Sequence, residues 1–322
     1  MTGKHLLEGR VAIVTGAGLG IGRAIANRLA ASGAHVIIND IDEISARQVE
    51  AAIQQAGGEA TVVVGSVAAA NTADAMVKAA WDHWGRLDIL VNNASVTRDA
   101  MIHLMSDEWF ALVMEVTVKG TFQCIRAATL LMRAAAQAEL IAGKRVHRKI
   151  VNIASTAGIY GAVGKVSYAA AKAAVIGMTK TVAREWAPFL INCNAVAPGV
   201  IAPREEAPNP ENVSDADVRT QPPTQVTTGV IDVRTQPPTH ATNPPGYSLE
   251  SLMPGFNLRR EQIAAAAAET VDKTAQCMPL GRIGTPDDVA GAVAFLAGPD
   301  SDFITGTVLE VHGGMEFMNL VG

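Results

Sequence analysis

Along the first 200 residues, short apolar runs alternate with longer stretches of helical period. The runs fall at 11–15, 35–39, 61–65, 87–92, 150–154 and 191–196. Each is almost wholly apolar, as a strand must be when it is buried on both faces of a parallel sheet. Helical spacing marks 20–32, 43–56, 71–84, 106–138 and 167–187. Strand and helix in strict alternation specify the α/β class, with a doubly wound parallel sheet. Near the end, Thr285 is a good N-cap, with Pro286 at the first helical position and Asp288 three after the cap. A last strand is expected at 307–311.

Directly after the first run comes TGAGLGIG, Thr15 to Gly22, opening the first helical stretch. Glycines at such a junction let the chain turn sharply and let a pyrophosphate approach the helix N-terminus, where free N–H groups and the helix dipole favour an anion. The fold is therefore expected to be Rossmann-type, with a dinucleotide on Gly16, Gly20 and Gly22. Asp40 ends the second run, 24 residues after Gly16. A carboxylate there can accept hydrogen bonds from ribose hydroxyls and repels a 2′-phosphate. No Lys or Arg lies between Gly16 and Gly22. Both features favour NAD over NADP.

The stretch SYAAAK, 167–172, puts Tyr168 and Lys172 four apart, on one face of a helix. A free phenol has a pKa of about 10 and is a poor base at neutral pH. A neighbouring ammonium is expected to lower it, making Tyr168 an acid/base for a carbinol–carbonyl pair.

These motifs together resemble the short-chain dehydrogenase/reductase family. They are TGAGLGIG, NNA at Asn92 to Ala94, Ser155 thirteen residues before Tyr168, Lys172, and Pro198-Gly199. The resemblance covers 8–202 and 278–314. It implies that Ser155 orients the substrate carbonyl, that Tyr168 is the general acid/base, and that Lys172 also binds the nicotinamide ribose. It places the cofactor against Gly16, Gly18, Leu19, Gly20, Ile21, Gly22, Asp40, Ser66, Val67, Asn93, Ala94, Tyr168, Lys172, Pro198, Gly199 and Ile201. Asn92 looks like the residue that stabilises the central strand. Members are usually homotetramers or dimers paired through the long helices that match 106–138 and 167–187. The segment NNASVTRDAMIHLMSDEWF is similar to relatives acting on 3-oxoacyl thioesters; cyclic and steroid alcohol dehydrogenases are also similar.

Several positions depart from the family pattern. Thr117 stands where an Asn commonly holds a water linked to the lysine, and is counted with the catalytic residues. Ser95 replaces a Gly, Ser66 an adenine-contacting Asp, Pro203 a Thr that contacts the nicotinamide amide, and His312 an Asp. The implied activity is NAD-dependent interconversion of a secondary alcohol and a ketone. The departures leave open an alternative, a non-catalytic NAD-binding protein on the same fold.

The chain is read as a single domain over 1–322 with an insertion at 203–257 near the substrate site. That stretch holds ten of the fifteen prolines and repeats DVRTQPPT at 217–224 and 232–239. It is either a surface decoration or a lid over the site.

Composition removes other classes. A net charge of −5 argues against nucleic acid as partner. The one basic cluster, Lys144, Arg145, His147, Arg148 and Lys149, reads as a solvated turn before a strand. Cys124, Cys193 and Cys277 are odd in number and widely spaced, and the histidines show no metal spacing, so neither a disulfide framework nor a metal site is expected. Arg98, Arg204, Arg259 and Arg260 could greet an acyl carrier or coenzyme A ester, or be scattered surface charge. No run reaches the ~18 apolar residues of a membrane span, and no leader peptide is recognised. The expected location is the cytoplasm.

Overall fold

The apolar runs become parallel strands: β1 Val11–Thr15, β2 His35–Asp40, β3 Ala60–Val64, β4 Ile89–Asn92, β5 Arg148–Ile153, β6 Ile191–Pro198 and β7 Val308–Val311. They belong to a computed structural model that describes residues 6–202 and 278–315. The strands form one sheet in the order β3-β2-β1-β4-β5-β6-β7, every pairing parallel. Strand order reverses beside β1, which lies between β2 and β4. Such a switch point leaves a crevice at the carboxyl ends of the strands. The proline-rich stretch 203–257, with Pro203, Arg204, Arg259 and Arg260, lies outside the described residues, as does Cys277.

The helices are α1 Gly20–Ala31, α2 Glu43–Gln55, α3 Ala70–Trp84, α4 Asp107–Met114, α5 Gly120–Thr129, α6 Ala135–Ile141, α7 Ala157–Tyr160, α8 Val166–Trp186 and α9 Pro286–Ala297. They cover both faces of the sheet. Because side chains alternate along a strand, β1 feeds two cores. Ala12 and Val14 face Ile25 and Leu29 of α1 and Val293 and Leu296 of α9. Val11 and Ile13 face Met76 of α3, Ala128 of α5 and Trp186 of α8. Local signals fix several ends. Thr285 and Asp288 form a reciprocal capping box at α9, and Asp42 caps α2.

Two expectations need correction. The single helix expected over 106–138 is interrupted by π turns at Glu115–Lys119 and Leu130–Ala134. At the first, the Gly120 N–H reaches back five residues to Glu115 O. Thr121 Oγ1 donates to Thr117 O at 2.7 Å, giving that carbonyl a side-chain partner. The basic cluster, in turn, is only partly a solvated turn. Arg148 and Lys149 lie inside β5 and are 2% and 3% exposed. Arg148 makes a bidentate pair with Glu139, and Lys149 pairs with Asp302 at 2.8 Å. Charges of this kind enter a core only with such partners.

A chain of buried amides ties the sheet to α8. Asn92 Nδ2 donates to Asn152 Oδ1 at 2.8 Å; Asn152 Nδ2 donates to Thr179 Oγ1 at 2.8 Å; Thr179 Oγ1 donates to Val175 O. Thr179 shares its face of α8 with buried Lys172, Val175, Ala183 and Trp186. This fixes which way α8 turns its other residues. Removing the middle amide would leave a buried donor without a partner. Asn152→Ala should therefore destabilise the protein by about 2–3 kcal/mol, read as a lower urea midpoint with an unchanged slope; an unchanged midpoint would show that the chain adds nothing.

Candidate active site

The site is built from the first turn upward. At Gly16 the backbone has φ +60°, and a Cβ there would come within 2.9 Å of Ala94 Cα. At Gly22 a Cβ would lie 2.0 Å from Gly16 O, so only glycine fits. Asn93 bolts this turn to the end of β4: its Nδ2 donates to Thr15 O and Gly16 O, both at 2.9 Å. Thr15 Oγ1 in turn accepts the N–H groups of Asn93 and Ala94 at 3.0 Å. α1 begins here with no side-chain cap and no acidic residue in its first turn. Its N-terminal N–H groups and positive dipole end face a cavity of about 570 Å³.

That cavity runs along the carboxyl ends of the strands, from Asp40 and Ser66 past the glycine turn to Tyr168 and Lys172. Asp40 Oδ2 accepts the Gly18 N–H at 2.8 Å and Oδ1 accepts the Asp42 N–H at 3.1 Å, so its carboxylate is held at the wall. Lys172 is the one cation among the described lining residues.

At the other end stand Ser155, just past β5, and Tyr168 and Lys172 on α8. Ser155 Oγ accepts the Ala157 N–H at 3.2 Å and is near enough to Tyr168 to favour its phenolate. Lys172 is 2% exposed; its Nζ donates to Ile153 O at 2.7 Å and lies 5.5 Å from the Tyr168 ring centroid. Burial pushes Lys172 down to about 7. The expected lowering of Tyr168 is overturned. Burial raises its pKa, the Ser155 hydroxyl opposes this, and the Asp99 charge adds to the rise. The physical reason is that Lys172 is itself too deeply buried to hold a full charge near neutral pH, and its proton is spent on a carbonyl.

Of the other expected site residues, Leu19, Gly20, Ile21, Val67, Asn93, Ala94 and Ile201 line the cavity. Gly18 touches it through Asp40. Pro198 and Gly199 stand behind the wall: Pro198 O accepts the Thr156 N–H, and the Gly199 N–H goes to Val311 O. Thr117 is also behind it, 1% exposed, with Oγ1 3.0 Å from Ser95 Oγ. The two departures at 95 and 117 thus pair with one another. Sequence reasoning missed Asp99 and Lys165. Lys165 Nζ bonds Asp99 Oδ2 at 2.6 Å and lies 6.0 Å from the Tyr168 ring. The i, i+3 spacing of Lys165 and Tyr168 was the available signal.

Comparison with known proteins agrees with this geometry. A family model described as short chain dehydrogenase matches residues 10–213, and one described as Enoyl-(Acyl carrier protein) reductase matches 256–316. The chain is 35% identical over 311 residues to a 3-oxoacyl-(acyl-carrier-protein) reductase of Synechocystis sp., covering 96% of this chain and 98% of that one. It is 33% identical to the short-chain reductase protein NovJ of Streptomyces niveus, covering 94% and 93%. It is also 33% identical to BbsD, a subunit of a substituted succinyl-CoA dehydrogenase of Thauera aromatica, covering 96% and 97%. The chain belongs to the short chain dehydrogenase family, oxidoreductases that bind a nicotinamide cofactor.

The buried amine sets a pH test. Because the Lys172 value lies below the ordinary 10.5, its burial costs most where the amine is protonated both folded and unfolded, below about pH 7. The cost fades as pH rises toward 10.5. Cofactor-free Lys172→Met should gain thermal stability over the wild type by a margin that shrinks from pH 6 to pH 10. A pH-independent margin would contradict a depressed amine.

Proposed function

We infer that this short-chain dehydrogenase interconverts a secondary alcohol and a ketone with NAD(H), and that its substrate is a 3-oxoacyl or 3-hydroxyacyl thioester. The observation that carries the reading is the meeting of Ser155, Tyr168 and Lys172 at one end of the cavity that the glycine turn opens. The residues fit a dinucleotide. Gly16 and Gly22 let the turn close where a Cβ would strike Ala94 or the Gly16 carbonyl, and the α1 N-terminus so placed supplies N–H groups for a pyrophosphate. Asp40 would hold the adenosine ribose; Tyr168 and Lys172 would hold the nicotinamide end. The bound cofactor supplies or accepts a hydride.

The chain's own groups manage the proton. With its pKa raised, Tyr168 carries its phenolic proton near neutral pH. It can donate that proton to a carbonyl oxygen as the carbon becomes a carbinol, the direction of ketone reduction. Ser155, beside Tyr168, orients the same oxygen. The reverse reaction returns the proton to the phenolate. The thioester assignment draws on the names of the relatives, of which one is a 3-oxoacyl reductase and one a CoA-ester dehydrogenase. Pairing with further copies through α4, α5 and α8 is supported by Phe110, Phe122 and Leu130, all exposed on the helical segment 107–134.

Two measurements test the reading. Tyr168→Phe should lose about 10²–10⁴-fold in kcat on acetoacetyl-CoA while binding NADH as the wild type does; retained turnover would remove Tyr168 from the mechanism. The wild type should prefer NADH to NADPH in kcat/KM by about tenfold or more, since a repulsion of about 1.4 kcal/mol is enough. Asp40→Ala should narrow that ratio, and an unchanged ratio would show that Asp40 does not select the cofactor.

A further inference from the structure

A second cavity, of about 120 Å³, opens at the opposite end of the sheet. It lies at the amino ends of the strands, where Arg10 leads into β1, Asp88 into β4 and Lys149 into β5. The dinucleotide cavity lies at the carboxyl ends.

The wall of this second cavity is rich in basic side chains. Arg10, Arg145, His147 and Lys149 line it, against the carboxylates of Asp88 and Asp302. Asp88 is already saturated. It takes Arg86 through both oxygens at 2.7 and 2.8 Å, Arg10 NH1 at 3.0 Å and the Val11 N–H at 3.0 Å. These contacts hold its carboxyl below the usual range in spite of burial. Asp302 Oδ1 is engaged by Lys149 at 2.8 Å, and Lys149 also donates to Ser301 Oγ. His147 Nδ1 is 3.2 Å from Asn192 Oδ1. Arg145 is exposed at the rim and has no side-chain partner among the described residues. The positive charges crowd one another: burial lowers the Lys149 pKa, Asp302 opposes this, and Arg10 lowers it again.

We propose that this cavity is a second ligand site, separate from the dinucleotide cleft, and that it takes a small tetrahedral oxoanion of the phosphate class. Both carboxylates are already bonded to cations, so the remaining positive charge of Arg145 and its neighbours is left for an incoming anion. Guanidinium N–H groups match phosphate oxygens in geometry, and charge-assisted bonds of this type are the strong ones. The volume sets the size of the ligand. It is well below the ~300 Å³ at which pockets begin to hold drug-sized molecules, so a nucleotide is excluded and a free oxoanion fits. Lys149 supplies a buried positive floor, 3% exposed.

The test is calorimetric titration of inorganic phosphate into the full-length protein at constant ionic strength, with and without saturating NADH. The proposal expects one saturable site that persists with NADH present and weakens at least tenfold in Arg145→Glu, a change at an exposed position. Binding that disappears with NADH and is unchanged in Arg145→Glu would belong to the glycine cradle and overturn the proposal. So would the absence of saturable binding, or equal competition by chloride, which would reduce the effect to screening. A parallel titration with methyl phosphate separates free ion from ester. The free ion should bind the tighter of the two, and tighter binding of the ester would overturn the small-ion assignment. Because the Arg145 comparison does not require that NADH bind or that any ketone turn over, this proposal and the enzymatic reading can fail independently.

Discussion

No side chain fits between Gly22 and the Gly16 carbonyl, and much of the molecule is arranged by that fact. The first turn of α1 must lie almost on the end of β1, so the helix axis points its uncapped N-terminus along the carboxyl edge of the sheet. Asn93, at the end of the neighbouring strand, is close enough to hold both carbonyls of the turn. The same closeness brings the loop after β4, with Ala94 and Ser95, to the cavity wall. The glycine turn and the Tyr168–Lys172 end of the cavity are thereby set at a fixed separation before any ligand arrives. Pre-organised donors of this kind cost nothing to reorganise at the moment of reaction.

Electrostatics in the reacting corner differ from what a Tyr and a Lys on one helix face would lead one to expect. Proximity along the sequence speaks of attraction between a phenolate and an ammonium. Depth speaks of the energy of holding either charge at all, and here depth wins for both groups. The phenol therefore keeps its proton near neutral pH, and the amine holds its own less firmly than an exposed lysine would. Lys165 and Asp99 add a second, outer charge pair next to the phenol. The balance at Tyr168 is thus set jointly by the interior and by the rim.

The parts that were legible in the sequence share a property: each is set by neighbours along the chain. The glycine turn, the strand runs, the α9 capping box and the shared helix face of Tyr168 and Lys172 are of this kind. What was not legible depends on residues far away. Arg148 and Lys149 read as surface charge because Glu139 and Asp302 become their partners only after folding. The π turn at 115–119 uses hydrogen bonds reaching one residue further than helical periodicity reveals. Thr117, expected among the catalytic residues, and Pro198 and Gly199, expected at the cofactor, are not among the residues that line the cavity, since a position in a motif does not state which side of a wall it occupies.

The amide chain through Asn92, Asn152 and Thr179 makes α8 a ruler. Thr179 is anchored in the sheet, and Lys172 and Tyr168 are counted off from it by whole turns of helix. One residue added or lost between 168 and 179 would swing the phenol about 100° around the axis, away from Ser155, while the anchor stayed in place. Length changes in the loop ahead of α8 leave that count undisturbed. The helix conserves distance, and the loops are left to vary shape.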